Sequence, residues 1–552
     1  MSKKPIIFII LLLASMPAFA QNGDTTWVRR YNGPGNYTDE AFAIALDGSG
    51  NVYVTGYSYG SETDFDYATV KYYPSGDTAW VRRYNGPENC IDRASAIAVD
   101  GSGNVYVTGV TDYEGSTGAC ADYATIKYYA DGGTAWVRRY DGPVNSTDGA
   151  SAVAVDGSGN VYVTGYSYGG GTDFDYATIK YYTNGDAAWV RRYTLGFYPN
   201  KAYGIAVDDS GNVYVTGFSH WAWSDYATIK YHSNGDIAWA RRYNGYGWDD
   251  RARAIAVDDC GNVYVTGGSY GGSGTDYDYA TIKYYPDGDT AWVRRYNGPG
   301  NEYDGARAIA VDDSGNVYVT GGSYEGGETD YDYATIKYYP DGDTAWIRRY
   351  SGPTNDHDEA YGITVDGSGN VYVTGYSRGN GTWDDCVTIK YHPNGDIAWL
   401  GRYNGPGTGG DIARAIAIDG SGNVYVTGSS VGSGTGYDYA TIKYGKNTNI
   451  EDETESRERP CEFSLSQNYP NPFNQTTKIE FTLAKSSFVS LEIFDILGKK
   501  VRTLVSEHVS SGYKSVLWDG RDSFGNEVAS GIYFYQLSDK DRTLTKKIVL
   551  LR

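Results

Sequence analysis

The feature that most constrains this chain is an eightfold self-repeat. The string GNVYVTG begins at Gly50, Gly103, Gly159, Gly211, Gly261, Gly315, Gly369 and Gly422. A Trp-x-x-Arg-Tyr string begins at Trp27, Trp80, Trp136, Trp189, Trp239, Trp292, Trp346 and Trp399. The interval between successive copies is 50 to 56 residues, a period that belongs to propellers, solenoids and arrays rather than to one undivided core. Each unit holds four β-like runs, AIAVD, NVYVTG, DYATIKYY and TAWVRRY, separated by turns rich in Gly, Asn and Asp, which accept positive φ. Four strands per repeat is the pattern of a propeller blade, and the runs are called strands a, b, c and d below. Strand a alternates Ala with Ile or Val, as at Ala96, Ile97, Ala98 and Val99. Both its faces are therefore apolar, as sheets stacked between neighbours require.

The ends of the array are complementary. The chain begins with a lone strand d, Trp27 to Tyr31, and the eighth unit stops after strand c at Tyr444. A closed ring lets the first strand complete the last blade and removes the edges an open array would expose. The expected fold is all-β: an eight-bladed β-propeller closed by its N-terminal strand, followed by a small C-terminal β-sandwich. Composition agrees, with 57 Tyr and 73 Gly against 2 Met, a bias toward strands and tight turns.

Residues 1–20 read as a secretory signal: Lys3 and Lys4, an apolar run from Ile6 to Ala14, and Ala18-Phe19-Ala20 before Gln21. No later stretch reaches the length of a membrane span, so membrane insertion is not expected. A net charge of −21 repels phosphate backbones and excludes nucleic acid as a natural partner. Of five cysteines, Cys90 and Cys120 lie in loops of one repeat on one face and form the one inviting disulfide pair. Cys260, Cys386 and Cys461 show no metal-ligand spacing.

Residues 21–445, through these repeats, resemble the secreted-bacterial β-propeller repeat family. The resemblance implies the fold and no particular chemistry. Residues 446–461 are a polar linker, KNTNIEDETESRER for most of their length. Residues 462–552 contain NYPNPFN (Asn468 to Asn474), Trp518-Asp519-Gly520, GIYFY (Gly531 to Tyr535) and a basic end from Lys546 to Arg552. These motifs resemble the C-terminal sorting domain of type IX secretion cargo, with Gln475 where many members have proline. That resemblance implies passage through the periplasm and outer membrane, contact with the outer-membrane secretion machinery, and a secreted or cell-surface location.

Candidate chemistry is sparse, and no residue is assigned as catalytic. The D-x-S-G-N turns offer too few carboxylates for calcium, while the T-D-x-D-Y segments (Asp64 with Asp66, Asp173 with Asp175, Asp276 with Asp278, Asp330 with Asp332) offer pairs. The second Asp recurs before every strand c, where an Asx-type backbone bond accounts for it. The Arg pairs of strand d, such as Arg294 and Arg295, read as charges that guard an outer edge. Carboxylates Asp249, Asp250, Asp384 and Asp385 leave glycosidase chemistry open. The remaining signal is a contrast between loops. The b–c and d–a loops share one face, vary in length, and are dense in Tyr, Trp, Gly, Ser and Asp, the composition of binding loops. Trp221, Trp223, Trp248 and Trp383 lie in them, outside the repeated strand positions, with Tyr59, Tyr168, Tyr270 and Tyr324 at their bases. The expectation is a binding or adhesion module for carbohydrate or a surface protein. The alternatives are a secreted enzyme acting on polysaccharide and an architectural coat protein.

Overall fold

The computed structural model describes residues 21–22, 24–113, 121–171, 173–194, 198–220, 223–326, 331–354, 356–445, 463–465, 467–468, 471–474, 476–483, 487–509, 512–540 and 542–551. Residues 1–20 and 446–461, read from the sequence as a signal segment and a linker, lie outside these residues.

Blade 1 is an antiparallel sheet of strand a (Asp39–Leu46), b (Val52–Tyr59), c (Phe65–Tyr72) and d (Thr78–Tyr84). Six further blades repeat this order along the chain. Blade 8 takes strands a to c from Asp411–Ile418, Val424–Val431 and Tyr437–Tyr444, and its strand d is Thr25–Tyr31. In that pairing Trp27 stands opposite Lys443 and Tyr31 opposite Tyr439, as the complementary ends predict. Each strand a contacts the strands a on either side, and that of blade 1 contacts that of blade 8. The a strands therefore form the inner wall of a closed ring, with the d strands outermost. Each a–b pairing carries a bulge at the same place, between Ala41 and Ala43 in blade 1 and between Ala413 and Ala415 in blade 8.

Two kinds of bond explain why strand d keeps its Trp and Arg. The Trp side chain is buried against the next blade, and its indole N–H donates to a carbonyl in that blade's c–d turn: Trp80 to Ala130 at 3.2 Å, Trp292 to Pro340 at 3.1 Å. The first Arg donates from Nε to the turn glycine, Arg82 to Gly132 and Arg294 to Gly342, both at 2.6 Å. That glycine is required. At Gly76 φ is +89°, and a Cβ there would come within 2.9 Å of the Trp27 ring. Ring closure uses the same bonds, from Trp27 Nε1 to the Pro74 carbonyl at 3.1 Å and from Arg29 Nε to Gly76 at 2.6 Å. Blade 7 is the exception that fits the rule. Its neighbour, blade 8, takes strand d from the other end of the chain and has no c–d turn to receive an arginine, and blade 7 carries Gly401 at that position. Tyr444 fills the space, its ring 2.6 Å from where a Cβ on Gly401 would lie. Gln21–Asn22 pairs in parallel with Trp399 and Leu400.

The second Arg forms an ion pair with the Asp at the start of strand c in all eight blades, at 2.5 to 3.0 Å. The expectation of a local Asx bond for this Asp, and of edge-guarding charges for the Arg pair, is thus corrected. One Arg latches blade to blade, and the other staples strand d across its own sheet. An ion pair between residues in different strands leaves no mark in local spacing, which is why the sequence does not reveal it.

The C-terminal domain is two sheets around one core. One holds Ser464–Leu465, Thr477–Leu483 and Gly512–Trp518; the other holds Lys500–Val509, Ser487–Asp495, Gly531–Ser538 and Thr543–Leu550. Phe473, Ile479, Phe481, Trp518, Tyr535 and Ile548 are buried between them. The NYPNPFN motif anchors to the last strand: Asn471 Oδ1 accepts from the Val549 N–H at 2.9 Å, and Phe473 packs on Trp518.

Candidate ligand-binding face

The strand order places the b–c and d–a loops on one face and the short a–b and c–d turns on the other. The turn face is saturated with internal bonds. In blade 1, Asp47 accepts from the Ser49 and Asn51 N–H groups, the Asn51 amide and the Tyr53 hydroxyl at 2.7 to 2.9 Å. A carboxylate with four donors has little left to offer a calcium ion. Although burial alone would raise its pKa, the bonds from Asn51 and Tyr53 hold Asp47 below the usual carboxylate value.

The loop face rests on a second set of carboxylates. Asp39 Oδ2 accepts from the Gly33 N–H at 2.7 Å and Oδ1 from the Tyr59 N–H at 3.2 Å, tying a d–a loop to the end of strand b. Asp92, Asp148, Asp250, Asp304, Asp358 and Asp411 take the same place, and Asn200 replaces them in blade 4. Burial lifts Asp92 and Asp304 to about 6, against the hydrogen bonds they accept. Asp122 and Asp225, which pair with Arg139 and Arg242, are also lifted to about 6 by burial. A carboxyl whose folded pKa exceeds its unfolded value binds its proton more tightly in the native state. Stability from these groups therefore rises as pH falls from about 6 toward 4. The turn carboxylates such as Asp47 act in the opposite sense below that window. The thermal midpoint is expected to rise from pH 7 to a maximum between about pH 4 and 5, measured by scanning calorimetry; a midpoint that climbs steadily from pH 5 to 7 contradicts this assignment.

Above this base stand the sequence-predicted aromatics. Trp223, Trp248 and Trp383 are exposed, at 43%, 49% and 57%; Trp221 lies outside the described residues. Trp223, in the b–c loop of blade 4, and Trp248, in the loop entering blade 5, meet with ring centroids 4.3 Å apart, and Trp248 meets Tyr270 at 5.6 Å. Trp383 stands apart, under the Arg378 guanidinium at 5.0 Å. Tyr59, Tyr168 and Tyr324 are half-buried, each edge-on to the aromatic that opens strand c of its blade: Phe65, Phe174 and Tyr331. They support the face and present little of it.

The ring contacts continue beyond the predicted residues. From Tyr270 they run through Tyr277, Tyr303, Tyr331, His357 and Tyr376 to Tyr361, with centroids 4.8 to 6.2 Å apart. The result is an aromatic belt crossing the loop face from blade 4 to blade 7. It ends at a collar formed by the bulge residues of the inner strands: Phe42, Ser95, Ser151, Tyr203, Arg253, Arg307, Tyr361 and Arg414. The Arg253 guanidinium lies 5.0 Å from the Tyr203 ring, and those of Arg307 and Arg414 lie 5.8 and 4.7 Å from Tyr361. The signal that could have found the collar is variation inside the most constant run. In Asp-x-Ala-x-Ala, with Asn200 for the Asp in blade 4, the first alanine persists and the second gives way only to Gly204 and Gly362, while the residue between them is Ser, Phe, Tyr or Arg.

Three of the four candidate carboxylates are occupied, and the fourth, Asp384, is raised by burial against the opposing charges of Arg378 and His357. Asp250 belongs to the loop base, Asp385 pairs with Arg402 at 2.9 Å, and Asp249 accepts from the Ser224 N–H and pairs with Arg251 at 3.1 Å. Among the described residues one acidic trio, Asp122, Asp141 and Asp148, has the spacing of a cation site, but Arg139 already sits 2.7 Å from Asp122 and supplies the positive charge. Of the expected Cys90–Cys120 pair, Cys120 lies outside the described residues, and Cys90 Sγ is 3.7 Å from the Glu88 carbonyl. Cys260, for which the sequence offered no partner, is disulfide-bonded.

Comparison with known proteins agrees with the architecture. A β-propeller repeat family model matches residues 26–65, 79–113, 136–174, 189–220, 291–326, 345–381 and 400–434. A secretion system C-terminal sorting domain model matches residues 467–551. No curated protein matches the chain. Among solved structures it is similar to PorZ, a bacterial surface component of the type-IX secretion system of Porphyromonas gingivalis. That match has a TM-score of 0.32 and 15% identity, covering 92% of this chain and 74% of that one. It is also similar to a fungal alcohol oxidase in complex with copper, with a TM-score of 0.40 and 12% identity, covering 96% of this chain and 100% of that one. Values of this size carry no argument about chemistry.

Proposed function

We propose that this chain, a β-propeller repeat protein carrying a type IX secretion C-terminal sorting domain, is a cell-surface or extracellular binding module whose loop face holds an extended carbohydrate. The observation that carries this reading is the aromatic belt. Its exposed end, Trp223 and Trp248, offers indole faces with no packing duty in the blade template, and such faces stack on the C–H surfaces of sugars. A run of rings reaching across several blades suits a chain of residues better than a compact molecule. The loops are held by buried carboxylates, so the face is formed before the ligand arrives, which lowers the ordering cost of binding.

Replacing Trp223 and Trp248 together with Ala is expected to weaken binding of the glycan found by a polysaccharide screen by roughly 2 kcal/mol or more. The thermal midpoint should stay nearly unchanged, because both rings are half-exposed. Titration calorimetry on the purified chain measures the first and a melting scan the second. Unaltered affinity in a folded double variant contradicts the proposal.

The sorting domain makes a separate prediction. Among the described residues, the buried apolar clusters of the propeller contain nothing from residues 463–551, and the cluster of the C-terminal domain contains nothing from the blades. Removing residues 463–552 should therefore leave a folded propeller held in the periplasm. Cell fractionation checks this, and surface display of the truncated chain contradicts it.

A further inference from the structure

The collar at the end of the belt carries a charge opposite to that of the molecule. The chain bears a net −21. Yet the bulge positions of the inner strands hold Arg253, Arg307 and Arg414, and the positions two residues earlier add Arg93, Lys201 and Arg251 against two carboxylates, Glu40 and Glu359. Two of these six cations are neutralised, Arg307 by Glu359 at 2.6 Å and Arg251 by Asp249 at 3.1 Å. Among the described residues no carboxylate stands at ion-pair distance from Arg93, Lys201, Arg253 or Arg414. Each of these instead lies over an aromatic ring: Arg93 over Tyr57, Lys201 over Tyr166, Arg253 over Tyr203 and Arg414 over Tyr361, at 4.2 to 5.0 Å. A ring under one face of a guanidinium or ammonium holds it in place without using its N–H donors, which stay free for carboxylate or sulfate oxygens.

The fold does not require these arginines. Blades 2 and 3 close the same bulge with Ser95 and Ser151. The arginine blades also make room: where the bulge residue is Arg253 or Arg307, the strand b position that carries Tyr57, Tyr166, Phe218 or Tyr376 in other blades is Gly268 or Gly322. A cluster of unpaired cations in an acidic protein focuses a local positive potential, which draws in anions and repels cations.

We infer that the collar binds the acidic groups of an anionic glycan, so that the carbohydrate of the loop face is a polyuronate or a sulfated polysaccharide. The inference rests on the reading of the belt as a carbohydrate surface, and it names the class that surface takes. Tyr361 links the two, since its ring ends the belt and lies beside both Arg307 and Arg414.

The test titrates the purified chain with three probes: polygalacturonate for carboxylate, dextran sulfate for sulfate ester, and unmodified dextran. At least one anionic probe is expected to bind about tenfold or more tightly than dextran, with an affinity that falls as salt rises. Arg253→Gln with Arg414→Gln should cost that probe about tenfold. Arg307 is left in place because it neutralises Glu359. Ser95→Arg with Ser151→Arg adds two guanidinium groups to the same ring and should tighten binding severalfold, a gain that a folding defect cannot imitate. Equal affinity for dextran, an unchanged affinity in both arginine variants, or no binding of either anionic probe overturns the inference. If Trp223→Ala with Trp248→Ala leaves anionic binding intact while the arginine variant loses it, the belt reading falls and the collar stands. The reverse pattern keeps the belt and overturns the collar.

Discussion

A chain lacking residues 21–31 is expected to unfold far below the intact protein and to aggregate as it does so. Deletion removes strand d of blade 8, and with it Trp27, which is buried between blades 8 and 1 and donates to Pro74. It also removes Arg30, the partner of Asp438 at 2.8 Å, leaving that buried carboxylate without its counter-charge. Loss of a buried Trp and loss of one member of a buried pair each cost about 3 kcal/mol or more. The strand also closes the ring, so its loss opens strand c, Tyr437–Tyr444, as an unpaired edge. A synthetic peptide of residues 21–31 added in trans should raise the midpoint again. A deletion variant that melts with the intact chain would show that blade 8 does not depend on its borrowed strand.

The second large effect is expected at the repeated ion pair. Arg295 donates to Asp278 at 2.9 Å, to the carbonyls of Ser269 and Tyr270, and to the Tyr243 hydroxyl of the preceding blade. Arg295→Ala strands Asp278 inside the sheet and is expected to cost about 3 to 5 kcal/mol by chemical denaturation. Burial already raises the Asp278 pKa even with the arginine present, so without it the carboxyl should protonate more readily and the loss should shrink at low pH. Asp278→Asn in the same chain should recover part of the loss, because a neutral amide needs no counter-charge. A double variant no more stable than Arg295→Ala alone would place the cost in lost packing of the guanidinium.

Why the architecture was legible and part of the site was not follows from where each signal sits. Strand number, closure and the turn chemistry are written into short segments eight times over, and the mismatched ends at Trp27 and Tyr444 specify the closing pair. The Arg–Asp staples are equally regular, yet their partners lie 17 residues apart in seven blades and 408 apart in the eighth. No local pattern distinguishes such a pair from two independent surface charges. The Gly401 substitution in blade 7 is visible in the sequence but acquires meaning only once blade 8 is known to lack a c–d turn. At the site, the exposed tryptophans departed from the template and stood out. Tyr277, Tyr303 and Tyr331 did not, because in a chain this rich in tyrosine each passes for another repeat position, and only the ring closure brings them into one line. The collar arginines were hidden for the same reason: a single variable residue within a largely apolar strand joins a collar only when the eight copies face one axis.

The central claim, an exported propeller that holds acidic glycan on its loop face, is tested most directly on intact cells. Cells displaying the chain, and cells displaying the variant with Trp223, Trp248, Arg253 and Arg414 replaced by Ala, Ala, Gln and Gln, are matched for surface protein and given fluorescent polygalacturonate and dextran sulfate. The predicted result is capture of an anionic probe by the first population, abolished by free unlabelled probe, and little capture by the second at equal display. Equal capture by the two populations would contradict the account.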